Sequence, residues 1–264
     1  MKITIENQLV GLPELRAAWR EPAVVEIGVD ARRRLLWAST DAMPVQVGYD
    51  SADAGRAAVL AFDLRTGRLV RRVEAPRDTA HFLGDLAVAA TGEVYISDNA
   101  TRSVWVLRPG ADSLEVLVPP GVMANPQGPA LAPDGRRLLV ADYLLGIAAV
   151  DLLTRRVSWL PRPDDVAVNG IDGLYVDRGA LVGVQNGTAP QRIVRFAVDP
   201  GFTRILGAEV LEQDPQLDEP THCAPAGRTL YCIANSGDDR ARGSAVRDDP
   251  GARPPAIVRL PLDR

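Results

Sequence analysis

The chain has 264 residues, 46% of them hydrophobic and 24% charged, with a formal net charge of −4. That composition makes disorder not the default, and with Arg and Asp interspersed it leaves no basic stripe to neutralise a phosphate backbone. No window approaches the ~20 apolar residues that span a bilayer, and Met1–Trp19 carries charges where a signal peptide is apolar. The expectation is a cytoplasmic protein with neither nucleic acid nor membrane as partner.

Helical periodicity is nearly absent. What recurs is an apolar strand, a tight turn at Gly or Asp-Gly, a second apolar strand ending in Asp or Asn, and then a further strand pair. In chain order, Lys2–Glu6 reads as an isolated strand and Val25–Ser39 as a first hairpin. The loop Thr40–Arg56 follows, then Val59–Val73 as an outer hairpin across Thr66-Gly67. Leu86–Asp98 with Val104–Leu117, and Pro129–Asp142 with Ile147–Trp159, repeat the unit. Leu174–Asn186 and Thr221–Asn235 start two more, and Ala256–Leu260 is the third strand of the last. Equivalent residues return every ~40–60 positions, the interval of a four-stranded propeller blade. The fold class is therefore all-β, a single β-propeller domain over residues 1–264, with 236–255 as a flexible insertion. Lys2–Glu6 could supply the missing fourth strand of the last blade and close the ring. An incomplete ring would leave an open edge, so monomer and homodimer both stand.

Cys223 and Cys232 flank the turn Pro225–Arg228 almost symmetrically, which sets them opposite each other on adjacent strands, either as buried thiols or as a disulfide or redox pair. Trp37, Trp105 and Trp159 lie in apolar strands and are expected to pack between blades. No Gly-x-Ser-x-Gly elbow and no Gly-rich phosphate loop occurs, so serine hydrolysis and nucleotide cofactors have no support.

In such a blade the first strand crosses from one face to the other and the second returns. Starts of first strands and ends of second strands therefore share a face. The starts bring Glu26, Asp85, Gln127, Asp172, Asp218, Glu219, Thr221 and His222; the ends bring Thr40, Asp98, Asn99, Asp142, Tyr143, Asn186 and Asn235. Carboxylates and amides converging from several directions suit a hard divalent cation, calcium or magnesium before zinc. Asp98 and Asp142 also read as turn residues that bond their own backbone. His81 and His222 are the only histidines, each a packed ring or, for His222, a base. The loops Thr40–Arg56 and Ser236–Pro255 both follow second strands and could overhang this face.

The stretches Asn125–Tyr143 and Gly170–Asp177 resemble the senescence marker protein, gluconolactonase and luciferin-regenerating-enzyme superfamily, over about residues 24–262. Six-bladed propellers with NHL repeats and strictosidine synthase relatives use similar hairpins. The resemblance implies six blades, whereas five units are countable and residues 1–21 form an atypical or truncated start. It also implies one divalent metal, calcium foremost with magnesium, manganese or zinc as alternatives, held by a glutamate, an asparagine and an aspartate. Asp172, in Ile-Asp-Gly-Leu, matches the aspartate and would also activate water. Gln127, in Pro-Gln-Gly-Pro, takes the asparagine's place one methylene longer. Glu26 lies near the glutamate's place, with Val-Glu-Ile-Gly-Val one residue out of register, and Glu219 is the other acidic candidate. Asp85, Asn186, Asn235, Tyr143 and His81 would line the substrate. The function so implied is a lactonase-type hydrolase of a small molecule; the alternative is a propeller of the same fold that binds a small molecule or protein without catalysis.

Overall fold

The computed structural model describes residues 23–46, 49–237, 240–242 and 245–262. Among them are four four-stranded antiparallel sheets and one three-stranded sheet, each a blade of the expected kind. The first blade is Ala23–Asp30, Leu35–Asp41, Ala57–Asp63 and Leu69–Glu74, and the second is Leu83–Val88, Val94–Asp98, Ser103–Leu107 and Glu115–Val118. The third comprises Pro126–Leu131, Arg137–Asp142, Gly146–Asp151 and Val157–Trp159. The fourth comprises Ile171–Asp177, Ala180–Gln185, Arg192–Val198 and Ile205–Glu212. Cys223–Ala226, Thr229–Ala234 and Ala256–Pro261 form the fifth. The strand expected at Lys2–Glu6 lies outside the described residues.

Turn chemistry explains much of the hairpin geometry. Asp63 Oδ1 accepts the backbone N–H of Arg65 and Thr66 and the Thr66 hydroxyl, and Asp151 makes the same set with Leu153 and Thr154. An aspartate closing the third strand thus folds the chain back by hydrogen-bonding the residues that follow it. In the fourth blade Arg178 and Gly179 have φ of 47° and 81°, the left-handed pair a two-residue hairpin needs to match strand twist. The outer hairpin of that blade, Arg192–Glu212, carries no Thr-Gly signal; its turn is built instead on Asp199, whose carboxylate accepts from Gly201, Thr203 and Arg204.

Contacts group the chain into two compact units, one running to Pro129 and the other from Ala130 to Arg242 and from Val246. The first is filled by Leu83, Val94, Ile96, Val59 and Trp37, with Trp105 against them. In the second, Leu139, Ile147, Ile171, Leu181 and Phe196 pack into one cluster, each at most 2% exposed. Burying side chains of this size contributes ~1.5–3 kcal/mol apiece. Trp159 is 39% exposed and so does not serve the packing role expected of it. Cys223 and Cys232 are paired across the fifth blade's hairpin and joined by a disulfide. Within Ser236–Pro255, Ala241–Arg242 and Ala245–Val246 form a two-stranded ladder.

Candidate functional site

Register within each blade confirms that starts of first strands meet ends of second strands: Leu83 pairs with Asp98, Ile171 with Gln185 and Cys223 with Cys232. Three first strands are irregular at the same place. Pairing slips between Val24 and Glu26, between Leu83 and Leu86, and between Ile171 and Leu174. Glu26, Asp85 and Asp172 all sit in these β-bulges, which redirect a side chain out of the strand's alternation.

In the first unit the bulges bring two carboxylates together: an oxygen of Glu26 lies within 4.8 Å of one of Asp85. Asp85 is buried and Glu26 half-buried. The Glu26 N–H donates to Ser39 Oγ (3.2 Å), which donates to the carbonyl of Gly84 (3.1 Å), the residue before Asp85. One buried hydroxyl therefore fixes both carboxylate-bearing segments. The two carboxylates offer oxygen donors, which suit a hard cation. Gln127 is half-buried, with its Nε2 donating to Asn125 Oδ1 (3.3 Å) and its carbonyl accepting from Ser97 Oγ (2.6 Å). Asn99 Nδ2 donates to the same Asn125 oxygen (3.1 Å). Asn125 is thus the hub of this amide group, although the sequence reading singled out Gln127 two residues on; only the adjoining Pro hinted at a fixed backbone there.

His81, expected to line the substrate, is buried at 4% exposure. Its Nδ1 meets Asp98 Oδ2 at 2.6 Å, and its ring stands edge-on to Trp105 at 5.5 Å. Asp98 also accepts the N–H groups of Phe82, Ala100 and Thr101, and Asp142 those of Leu144 and Leu145, the turn role anticipated for both. Near Asp98 lies Asp41, whose Oδ1 accepts the Leu83 N–H (2.9 Å) while its Oδ2 is buried without a partner among the described residues. Burial first, and then the charge of Asp98, push Asp41 up to about 7.

In the second unit Asp172 Oδ2 accepts from Asn186 Nδ2 (2.9 Å), and Asn186 Oδ1 accepts from the Tyr143 hydroxyl (3.0 Å). The three expected residues form one relay that holds the Asp172 carboxylate in a set orientation. Burial, and then the Asp172 charge, raise the Tyr143 phenol above its usual range, so it stays a donor. Beneath them Gly170 (φ +66°) packs on Gly187; a Cβ at Gly170 would lie 2.8 Å from the Gly187 backbone. Gly170→Ala is expected to lower stability by ~1–3 kcal/mol, read from urea denaturation, because it adds both backbone strain and a clash that no rotamer relieves.

Glu219 and Asn235 border a separate cavity of about 170 Å³ with Gln191, Asp218, Arg240, Asp249 and Arg253. The Glu219 N–H donates to Gln191 Oε1 (2.6 Å). Gln191, Arg240, Asp249 and Arg253 lie in irregular segments, where no periodicity marks them. His222 is half-buried on the approach to the fifth blade, its carbonyl accepting the Ile233 N–H (2.9 Å).

Solved structures resemble this chain over most of its length. The nidogen/laminin complex matches with a TM-score of 0.60 at 15% identity, over 82% of this chain and 74% of that one. A gluconolactonase from Xanthomonas campestris matches at 0.57 and 18% identity, over 89% of this chain and 70% of that one. A luciferin-regenerating enzyme gives 0.59 and 16%, over 91% and 78% respectively. The fold is a β-propeller. The model of the Major royal jelly protein family matches residues 23–135 of this propeller, its first two blades and the start of the third. No curated protein matches the chain. Among the described residues of the propeller, no helix is long and apolar enough to cross a membrane.

Proposed function

We propose that this propeller is a metal-dependent hydrolase of lactones or related esters. The observation that carries the reading is the Glu26 and Asp85 pair, two carboxylates within 4.8 Å on neighbouring bulged strands. Two such groups are a donor set for a hard cation, calcium before the others. When bound, the cation would supply Lewis-acid polarisation of the substrate carbonyl. Glu26 and Asp85 would hold it, with Ser39 setting the spacing between their backbones.

Asp172 takes the role of general base. Its carboxylate receives a proton from the attacking water, and the proton passes to the ring oxygen as the ester C–O bond breaks. Asn186 and Tyr143 keep the carboxylate oriented for that transfer. His222 remains the other candidate base. That two structural neighbours are a gluconolactonase and a luciferin-regenerating enzyme favours the reading without deciding it, since propellers host many functions.

The test is ring opening of a panel of aldono- and alkyl-lactones, followed by acid release, in chelated protein and after calcium is restored. The expected result is turnover that disappears with chelator, returns with calcium, and is missing in Asp85→Asn. Hydrolysis indifferent to chelation would refute the metal requirement. No hydrolysis of any lactone by folded, calcium-loaded protein would favour the binding-scaffold reading.

A further inference from the structure

We infer that the substrate taken at the Asp172 relay carries an aliphatic chain, seated on Leu144 and Leu145, an inference that rests on the lactonase reading. Tyr143-Leu144-Leu145 connects Arg137–Asp142 to Gly146–Asp151 in the third blade. Such turns usually carry polar side chains, whereas Leu144 and Leu145 are 64% and 55% exposed. The turn is pinned from several sides. Asp142 is buried, and its Oδ1 accepts the N–H of both leucines (3.0 Å each). The Tyr143 carbonyl accepts the Gly170 N–H (2.7 Å). Gly146, at φ +109°, lies so close to Val168 that a Cβ would come 2.6 Å from its Cγ2. The backbone therefore holds both leucines in solvent, directly after the tyrosine whose hydroxyl completes the relay. The apolar pair begins ~3.8 Å along the backbone from that tyrosine.

The polar side chains beside the relay are turned to one another and to the backbone. Asn186 spends Nδ2 on Asp172 and Oδ1 on Tyr143. Thr188 Oγ1 donates to the carbonyls of Gln185 (3.2 Å) and Pro190 (3.0 Å). Gln185 Nε2 donates to the carbonyls of Ala167 (3.2 Å) and Asn169 (2.8 Å), and its Oε1 accepts from Arg192 Nε (2.8 Å). Gln191 Nε2 donates to the Asn186 carbonyl (3.2 Å) while its Oε1 accepts the Glu219 N–H. A polyhydroxylated lactone needs several donors and acceptors aimed at its hydroxyls, and groups already engaged in this way serve it poorly. An alkyl chain needs none of them. It gains instead from covering exposed apolar surface, because both are then removed from water. Asp172 would meet the ester while the leucine pair takes the chain.

The experiment has two readouts on the full chain. Steady-state kinetics use γ-lactones whose alkyl chain lengthens from methyl to nonyl, with glucono-δ-lactone for comparison. Calorimetric titration with the matching γ-lactams, which resist ring opening, reads binding without turnover. Both kcat/KM and lactam affinity should rise about 2–4-fold per added methylene until the chain outgrows the pair, the gain from taking a CH₂ out of water. The best alkyl lactone should then exceed glucono-δ-lactone at least ~10-fold. In Leu144→Ser/Leu145→Ser both slopes should flatten at an unchanged melting temperature, since the two positions are exposed. Should that variant fail to fold, the wild-type series decides. Turnover indifferent to chain length, or glucono-δ-lactone preferred to every alkyl lactone, would overturn the aliphatic subsite and leave the hydrolase standing. Length-dependent lactam binding with no turnover of any lactone would support the subsite and count against the hydrolase. Lactam binding that is absent or flat, or a slope that survives in the folded double variant, would overturn the subsite.

Discussion

Asp172→Asn is expected to lower kcat/KM on a lactone substrate by roughly 10²–10⁴, the usual contribution of a positioned general base. Most of the loss should fall on kcat, because the substituted amide still fills the space and its oxygen can still accept from Asn186 Nδ2. The melting temperature should be unchanged for the same reason. The neighbouring variant Asn186→Ala should produce a smaller fall, since the carboxylate remains but loses its orientation. Steady-state kinetics on matched preparations separate the two. Wild-type turnover in folded Asp172→Asn would remove Asp172 from the chemistry and pass the role of base to His222.

The second large effect concerns stability and pH. Asp41 is pushed up to about 7 in the folded chain, by burial before the charge of Asp98, whereas its ordinary value is 3.8. Between those values the unfolded chain has released its proton and the folded chain has kept it. The contribution of Asp41 to stability is therefore greatest below pH ~4, falls as pH rises through the window, and levels above pH ~7, by at most on the order of 4 kcal/mol. The groups around it pull in known directions: the Leu83 N–H favours the ionised form, and Asp98, which is paired with His81, opposes it. Asp41→Asn should remove this slope and leave the variant more stable than wild type at pH 8. Urea denaturation at pH 5 and pH 8 of both proteins measures it. An equal pH dependence in the two would show that Asp41 ionises as an exposed carboxylate does.

The blades were legible because strand alternation and Asp-Gly or Thr-Gly turns are local signals, each written within about 15 residues. The fourth blade's outer hairpin escaped because its turn relies on Asp199 reaching several residues ahead, which has no short motif. For the candidate site, position along a strand was enough to gather Asp172, Asn186 and Tyr143, since register alone brings the start of one strand to the end of the next. Position could not reveal the bulges. A bulge inserts one unpaired residue without altering composition, and it is the bulges that turn Glu26 towards Asp85. The partners of His81 carry no local signal, since Asp98 and Trp105, which meet its ring, are brought there only by the fold of the blade. The cysteine question was unreadable for a different reason: opposed positions on a hairpin permit either state, and only the pairing itself distinguishes them.

The account rests on the Glu26 and Asp85 pair holding a cation. The direct measurement is thermal denaturation of chelated protein titrated with calcium, for wild type and for Glu26→Gln/Asp85→Asn. A ligand bound only by the native state must stabilise it, by ~2.7 kcal/mol at a hundredfold excess over its Kd. The account predicts a saturable rise in melting temperature for wild type and none for the double variant. An equal rise in both, or no rise in wild type with calcium, magnesium, manganese or zinc, would contradict it.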